Sequence, residues 1–205
     1  MTRIAILDYG MGNLRSAEKA LEHVGAAAEI TRDHERVRGA DGVVLPGVGA
    51  FPKAMEEVRR LGYDDLLREL VGEGRPVLGI CLGLQLLFES TTELGGAQGI
   101  CLLEGPVEQL DVNGLKVPHI GWNPVGWRSD SELTAGLRDP TPFYHVHSFA
   151  PHPRHERHVL GVASHGSEFV SAVASPPVYG VQFHPEKSGP DGLRLLRNFV
   201  ALCSS

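Results

Sequence analysis

At 205 residues with 42% hydrophobic content, the chain is long enough to bury a full core, and no break in composition divides it, so 1–205 reads as one domain. A formal net charge of -6 without Lys/Arg clusters argues against nucleic acid or an anionic membrane as partner and favours a small polar substrate. Three cysteines cannot all pair, no secretory signal pattern opens the chain, and no apolar stretch has the length to span a bilayer, a profile expected of a reduced, cytoplasmic protein.

Taken in chain order, RIAILD, GVVLP and PVLGI are short apolar runs bounded by Gly, Pro or Asp, each followed by a helical pattern. That alternation predicts buried parallel strands in an α/β fold, a three-layer α/β/α sandwich with a mostly parallel central sheet. The first helix is expected to be capped by Asn13, to keep Leu14, Ala17, Leu21 and Val24 on one face, and to end at Gly25. Pro52 suits the first turn of the next helix, along which Met55, Val58 and Leu61 recur at helical spacing. Core packing accounts for both helices. After Ser90 the pattern shortens to GPVEQL, LKVPHIGWN, PFYHVHSF, HVLGVAS and EFVSAVAS, which predict antiparallel or mixed strands extending the sheet. The amphipathic segment DGLRLLRNFVALC closes the chain as a helix, and no repeat or low-complexity linker interrupts it.

Three segments carry chemistry. In GICLGLQLLF, Cys81 stands between Gly79 and Gly83 where an apolar strand meets an apolar helix, the arrangement of a nucleophile elbow with sulfur in place of oxygen. Such a turn is strained and closely flanked, so a Cβ on either glycine would clash, and the helix from Leu82 aims free N–H groups at the sulfur. Acyl transfer through a thiolate is the expected chemistry.

In LPGVGAF, a Pro-Gly-x-Gly loop after a buried strand can turn N–H groups inward; Val48 or Gly49, together with Leu82, is the candidate oxyanion hole. In GVQFHPEKS, Pro185 disfavours helix at His184, so His184 and Glu186 are expected on one side of an extended segment. The carboxylate would fix the tautomer and leave the other ring nitrogen to shuttle the proton of Cys81.

GICLGLQ and GVQFHPE together resemble the paired signatures of class I, triad-type glutamine amidotransferases, whose fold is flavodoxin-like. DYGMGNLRS, LPGVGAF and PHIGWN resemble the subgroup serving histidine biosynthesis, and the likeness runs from Asp8 to Ser188. The resemblance implies that Cys81 attacks the amide of glutamine, that ammonia leaves with a proton from His184, and that water releases glutamate. It also implies that Gly49, Gln85, Glu93, His147 and Ser148 contact the glutamine, and that ammonia passes to a cyclase partner, a (β/α)8 barrel.

Asn13, Ser16, Trp122 and Lys187 are the candidate contacts with that partner, whose docking would complete the oxyanion hole of a poorly active isolated chain. The family's tyrosine-phenylalanine-valine-histidine-serine-tyrosine strand has His145 here in place of phenylalanine and Phe149 in place of the last tyrosine, a departure that leaves the triad untouched. His152, His155 and His158 lie in a polar, proline-containing tract without paired cysteines, which is not a zinc pattern, and the reaction needs no metal or organic cofactor. The rival readings are another cysteine acyl hydrolase or amidotransferase on this scaffold, or a silent module that only regulates a synthase.

Overall fold

The computed structural model describes residues 1–204. In chain order the elements are β1 (Arg3–Leu7), α1 (Leu14–His23), β2 (Ala27–Thr31), α2 (His34–Arg38), β3 (Gly42–Gly47), α3 (Phe51–Arg60), α4 (Tyr63–Gly72), β4 (Val77–Cys81), α5 (Leu82–Leu86) and the short β5 (Ser90–Thr91) and β6 (Ala97–Gln98). They continue with β7 (Pro106–Gln109), β8 (His119–Trp127), β9 (Thr141–His147), β10 (Phe149–Pro151), β11 (Val159–His165), β12 (Ser167–Ser175), β13 (Val178–Val181) and α6 (Gly189–Leu202).

Nine strands form the main sheet in the order β2-β1-β3-β4-β13-β12-β11-β8-β9, and β10-β7-β5-β6 form a smaller second sheet. From β2 to β13 the main sheet is parallel; from β13 onward every pairing is antiparallel. Alternate residues of each parallel strand feed opposite cores, as the pleat dictates. Ile4, Ile6, Val44, Leu78 and Ile80 pack with Ala17, Leu21, Leu195 and Phe199 of α1 and α6. Ala5, Leu7, Val43, Leu45 and Val77 pack with Met55, Val58, Leu66 and Leu84 on the other face. Hence the three layers, and hence the buried apolar runs that mark β1, β3 and β4 in the sequence.

The antiparallel segments and the closing helix fall as their patterns predict. Asn13 departs from expectation: it stands at the N-terminus of α1 but makes no side-chain cap. Its Oδ1 accepts instead from Ser16 Oγ at 2.9 Å, because its backbone, at φ -91° and ψ 60°, is not the extended cap conformation. Leu14 and Val24 are only partly buried at the margin of the face that Ala17 and Leu21 bury. No helix among the described residues is long and apolar enough to cross a membrane.

Candidate active site

Three adjacent parallel strands end together, and their carboxyl ends carry the chemistry, as is general for open α/β sheets. Gly47 at the end of β3 pairs with Cys81 at the end of β4, and Ile80 pairs with Val181, from which Gln182, Phe183 and His184 continue. Parallel register alone therefore draws residues 47–49, 81 and 184 to one edge from across the chain.

Cys81 has φ 55° and ψ -110°, a conformation an L-residue holds only when its surroundings fix it. The flanking glycines supply the room: a Cβ on Gly83 would lie 1.7 Å from Leu45 O, and one on Gly79 would lie 2.7 Å from the backbone of Leu84. The elbow predicted from the sequence is present. Its helix, α5, is only five residues long, so it offers the free N–H groups of its first turn rather than a sizeable dipole.

His184 lies in extended backbone, as its proline neighbour requires, but the chain then turns at once into a 3-10 turn over Pro185–Lys187. The turn, not a continued strand, swings Glu186 round to His184, whose Nδ1 donates to Glu186 Oε1 at 2.8 Å, with the two side chains 4% and 3% exposed. A hydroxyl clamp holds the turn against β9. Tyr144 N donates to Ser188 Oγ (3.0 Å), Ser188 Oγ donates to His184 O (2.7 Å), and His184 N donates to Tyr144 O (2.9 Å).

Burial works against a charged His184, but hydrogen bonds to Cys81 and Glu186 and the negative charge of both outweigh it, and the imidazole is pushed up to about 9. Glu186 Oε2, buried without a partner, is alone in that condition among the described side chains.

A cavity of about 280 Å³ opens over the sulfur, at the small end of the range for ligand sites. It brings together Cys81, His184, Val48, Gly49, Leu82, Gln85, Glu93, His147, Ser148 and Lys187, all named from the sequence, and adds Pro118, Val146 and Phe149. Gly49 has φ +106°, a backbone conformation that side-chain-bearing residues rarely adopt, so glycine suits that corner of the loop. Glu93 Oε2 accepts from Phe51 N at 2.8 Å. Gln85 is buried, its Nε2 donating to Phe149 O at 2.9 Å and to Gln182 Oε1 at 3.1 Å. At the position of the absent tyrosine it is thus the backbone of Phe149, not its ring, that makes the hydrogen bond.

Lys187 lines the cavity rather than lying apart from it, and Trp122 is 59% exposed on β8, with its ring against Tyr144. Asn13 and Ser16 do not line the cavity.

Sequence reading did not foresee a cluster of imidazoles behind the cavity. His119 Nδ1 lies 3.2 Å from His147 Nε2, His147 Nδ1 donates to Phe149 O (2.9 Å), and the rings of His145 and His165 stand 5.2 and 4.4 Å from that of His119. Burial drives His119 down to about 4 and His147 to about 3, and holds His145 well below the usual histidine value. The only sequence trace of the cluster is the alternation His145-Val146-His147. Among the described residues, no group of three or more His, Cys, Asp or Glu is arranged to hold a metal ion. His152 and His155 face Glu108 (3.8 Å) and Glu104 (3.5 Å) at the surface.

Comparison with known proteins places the chain in a family. The family "Glutamine amidotransferase class-I" matches residues 5–203. The chain is 47% identical over 202 residues to "Imidazole glycerol phosphate synthase subunit HisH" of Moorella thermoacetica, covering 98% of this chain and 96% of that one. It is also 47% identical over 208 residues to the protein of that name from Pseudomonas syringae pv. syringae, covering 98% of each. Among solved structures, "Structure of PurLQS from Thermotoga maritima" superposes with a TM-score of 0.79 at 18% identity, covering 98% of both chains, a likeness of fold alone.

Proposed function

The chain belongs to the class-I glutamine amidotransferases, and within them to the glutaminase subunits of imidazole glycerol phosphate synthase, and from that premise we propose how its residues carry the reaction. It is a glutaminase that serves histidine biosynthesis as one subunit of a complex with a cyclase. In the proposed mechanism residues 1–205 act as one amidotransferase domain. Cys81 Sγ attacks the side-chain carbonyl carbon of glutamine, and the oxygen takes the negative charge beside the N–H groups of Leu82 and of Val48 or Gly49. His184, protonated, gives its proton to the departing amine and ammonia leaves, forming the thioester. His184 then takes a proton from water, hydroxide adds to the thioester carbon, and collapse returns the thiolate and releases glutamate.

The observation that carries this reading is that Cys81 and His184 meet at one cavity while His184 Nδ1 donates to the buried Glu186 carboxylate behind it, at 2.8 Å. With His184 pushed up to about 9, its proton is held at neutral pH, as the leaving amine requires. Glu93, whose Oε2 is engaged by Phe51 N, takes the α-ammonium of glutamine with its other oxygen, while Gln85, His147 and Ser148 fit the polar remainder. The Cys81→Ala variant, assayed for glutamate in the complete complex, is expected to lose glutaminase turnover; deamidation at the native rate would overturn the assignment.

The partner proposed is a cyclase with a (β/α)8 barrel that covers the cavity face. Lys187 at the cavity mouth and the exposed Trp122 are its nearest contacts, with Asn13 and Ser16 beside the first loop. An exposed tryptophan is the type of side chain that anchors interfaces. Val48, 41% exposed, and Gly49 at positive φ form the part of the oxyanion loop that docking would adjust, so the isolated chain should turn over slowly. Equal turnover with and without the cyclase and its ligand would refute that.

A further inference from the structure

Gln182, in the strand extension just before the imidazole, is wholly buried, and its amide reaches the nucleophile: Nε2 lies 3.6 Å from Cys81 Sγ. Which end of an amide faces which neighbour is decided by the neighbours. Here they decide it without ambiguity. Phe149 O is a carbonyl and can only accept, so Gln85 must turn its Nε2 toward it. The same Nε2 faces Gln182, which must answer with Oε1, and the sulfur then receives an N–H.

The far end is braced in the same sense. His147 keeps its proton on Nδ1 to donate to Phe149 O, and its Nε2 accepts from His119 Nδ1. His119 Nε2 in turn meets Asn123 Nδ2 at 3.2 Å. A continuous run of hydrogen bonds thus joins β8 to the sulfur, each with one permitted direction.

The sulfur stands between opposing influences. Val146 O, 3.6 Å away, accepts an S–H and so favours the thiol, whereas an N–H binds a thiolate more strongly than a thiol and favours the charged form. Of the titratable groups around the sulfur, His184 stands beside it, Tyr9, whose hydroxyl is spent on Pro46 O at 2.6 Å, lies behind it, and Glu93, His147 and Lys187 line the same cavity. We propose that Gln182 is a catalytic residue: its amide N–H stabilises the Cys81 thiolate against the pull of Val146 O, and Gln85 is the positioning residue that keeps that N–H aimed. Gln182 forms and breaks no covalent bond; it lowers the free energy of the attacking form and of the same thiolate when the thioester is hydrolysed. The inference rests on Cys81 being the nucleophile.

The test is the pH profile of Cys81 alkylation by iodoacetamide in the full chain, read by peptide-resolved mass spectrometry so that Cys101 and Cys203 do not contribute. Gln182→Met, nearly isosteric and apolar, is expected to melt as a folded protein and to shift the inflection about one to two units to higher pH, slowing labelling at neutral pH ~10-fold or more. In the complex its kcat should fall with little change in KM. A purely structural role would leave the alkylation profile unmoved, and that result overturns the inference while sparing the nucleophile. Absence of Cys81 labelling in the unmodified chain would overturn both together. Should Gln182→Met fail to fold, Gln85→Met decides, since it frees the Gln182 amide to turn; it should move the inflection in the same direction by less, and an unmoved profile there overturns the inference as well.

Discussion

His184 and His147 line the same cavity and are almost equally withdrawn from water, at 3% and 6% exposure. One imidazole is pushed up to about 9 and the other down to about 3. Burial acts on both in the same direction, so it cannot be the source of the difference. What differs is the charge beside each ring: His184 has the Cys81 sulfur and, behind Nδ1, the Glu186 carboxylate, whereas His147 Nδ1 has a backbone carbonyl and its Nε2 another imidazole. A carboxylate repays an imidazolium for its lost hydration; a carbonyl supplies only a dipole, and a neighbouring imidazole penalises a second charge. One region is built to hold a proton, the other to hold a fixed pattern of neutral donors and acceptors.

Removing the carboxylate should narrow the contrast, with the largest effect. Glu186→Gln leaves burial unopposed by a second charge, so the alkaline limb of kcat for the complex, expected near pH 9, moves toward neutrality. By analogy with loss of a triad carboxylate, kcat should fall by up to roughly 10⁴-fold. Retention of a limb near pH 9 in that variant would mean Glu186 is not what raises His184.

Acid should expose the other region. His119 and His147 have folded values below the ordinary 6.5, so the unfolded chain binds more protons as the pH falls. Their contribution is complete above pH 6.5 and is lost between there and about 3, which should appear as a decline of a few kcal/mol in urea-unfolding free energy over that range. His184 has the opposite sign: its stabilisation is complete below 6.5 and is lost as the pH passes about 9. A flat profile from pH 6.5 to 4 would remove the neutral-cluster account.

The contrast can also be sharpened by giving the cluster the carboxylate it lacks. Asn123→Asp puts an acid beside His119 Nε2 and should raise its titration, followed by NMR, by about one to two units. The smallest change expected is at His145, whose Nδ1 donates to Phe143 O while Nε2 accepts from Ser171 Oγ at 2.8 Å. Ser171→Ala leaves that nitrogen unpaired and should destabilise the chain by about 1–3 kcal/mol in denaturant unfolding.

Much of this was legible in the sequence where the constraint is local. The apolar runs of β1, β3 and β4 announce buried parallel strands, and Gly79 and Gly83 around Cys81 announce an elbow because only glycine tolerates the approach of Leu45 and Leu84. Pro185 sets His184 extended. Less legible were features that depend on what arrives from elsewhere. The expected cap at Asn13 gave way to Ser16, Glu186 reached its partner through a 3-10 turn rather than along a strand, and nothing local in GVQFHPEKS marks Gln182.

By itself the sequence determined which residues carry chemistry and the backbone each requires, since a glycine's missing Cβ or a proline's fixed φ acts within a few residues of its own position. Tertiary structure alone decided which imidazole is charged, which way the amides of Gln85 and Gln182 face, and that Trp122 meets solvent. Those outcomes follow from desolvation and from donors and acceptors that the sheet brings together from positions as far apart as 81 and 182, and no local pattern encodes the environment such a meeting creates.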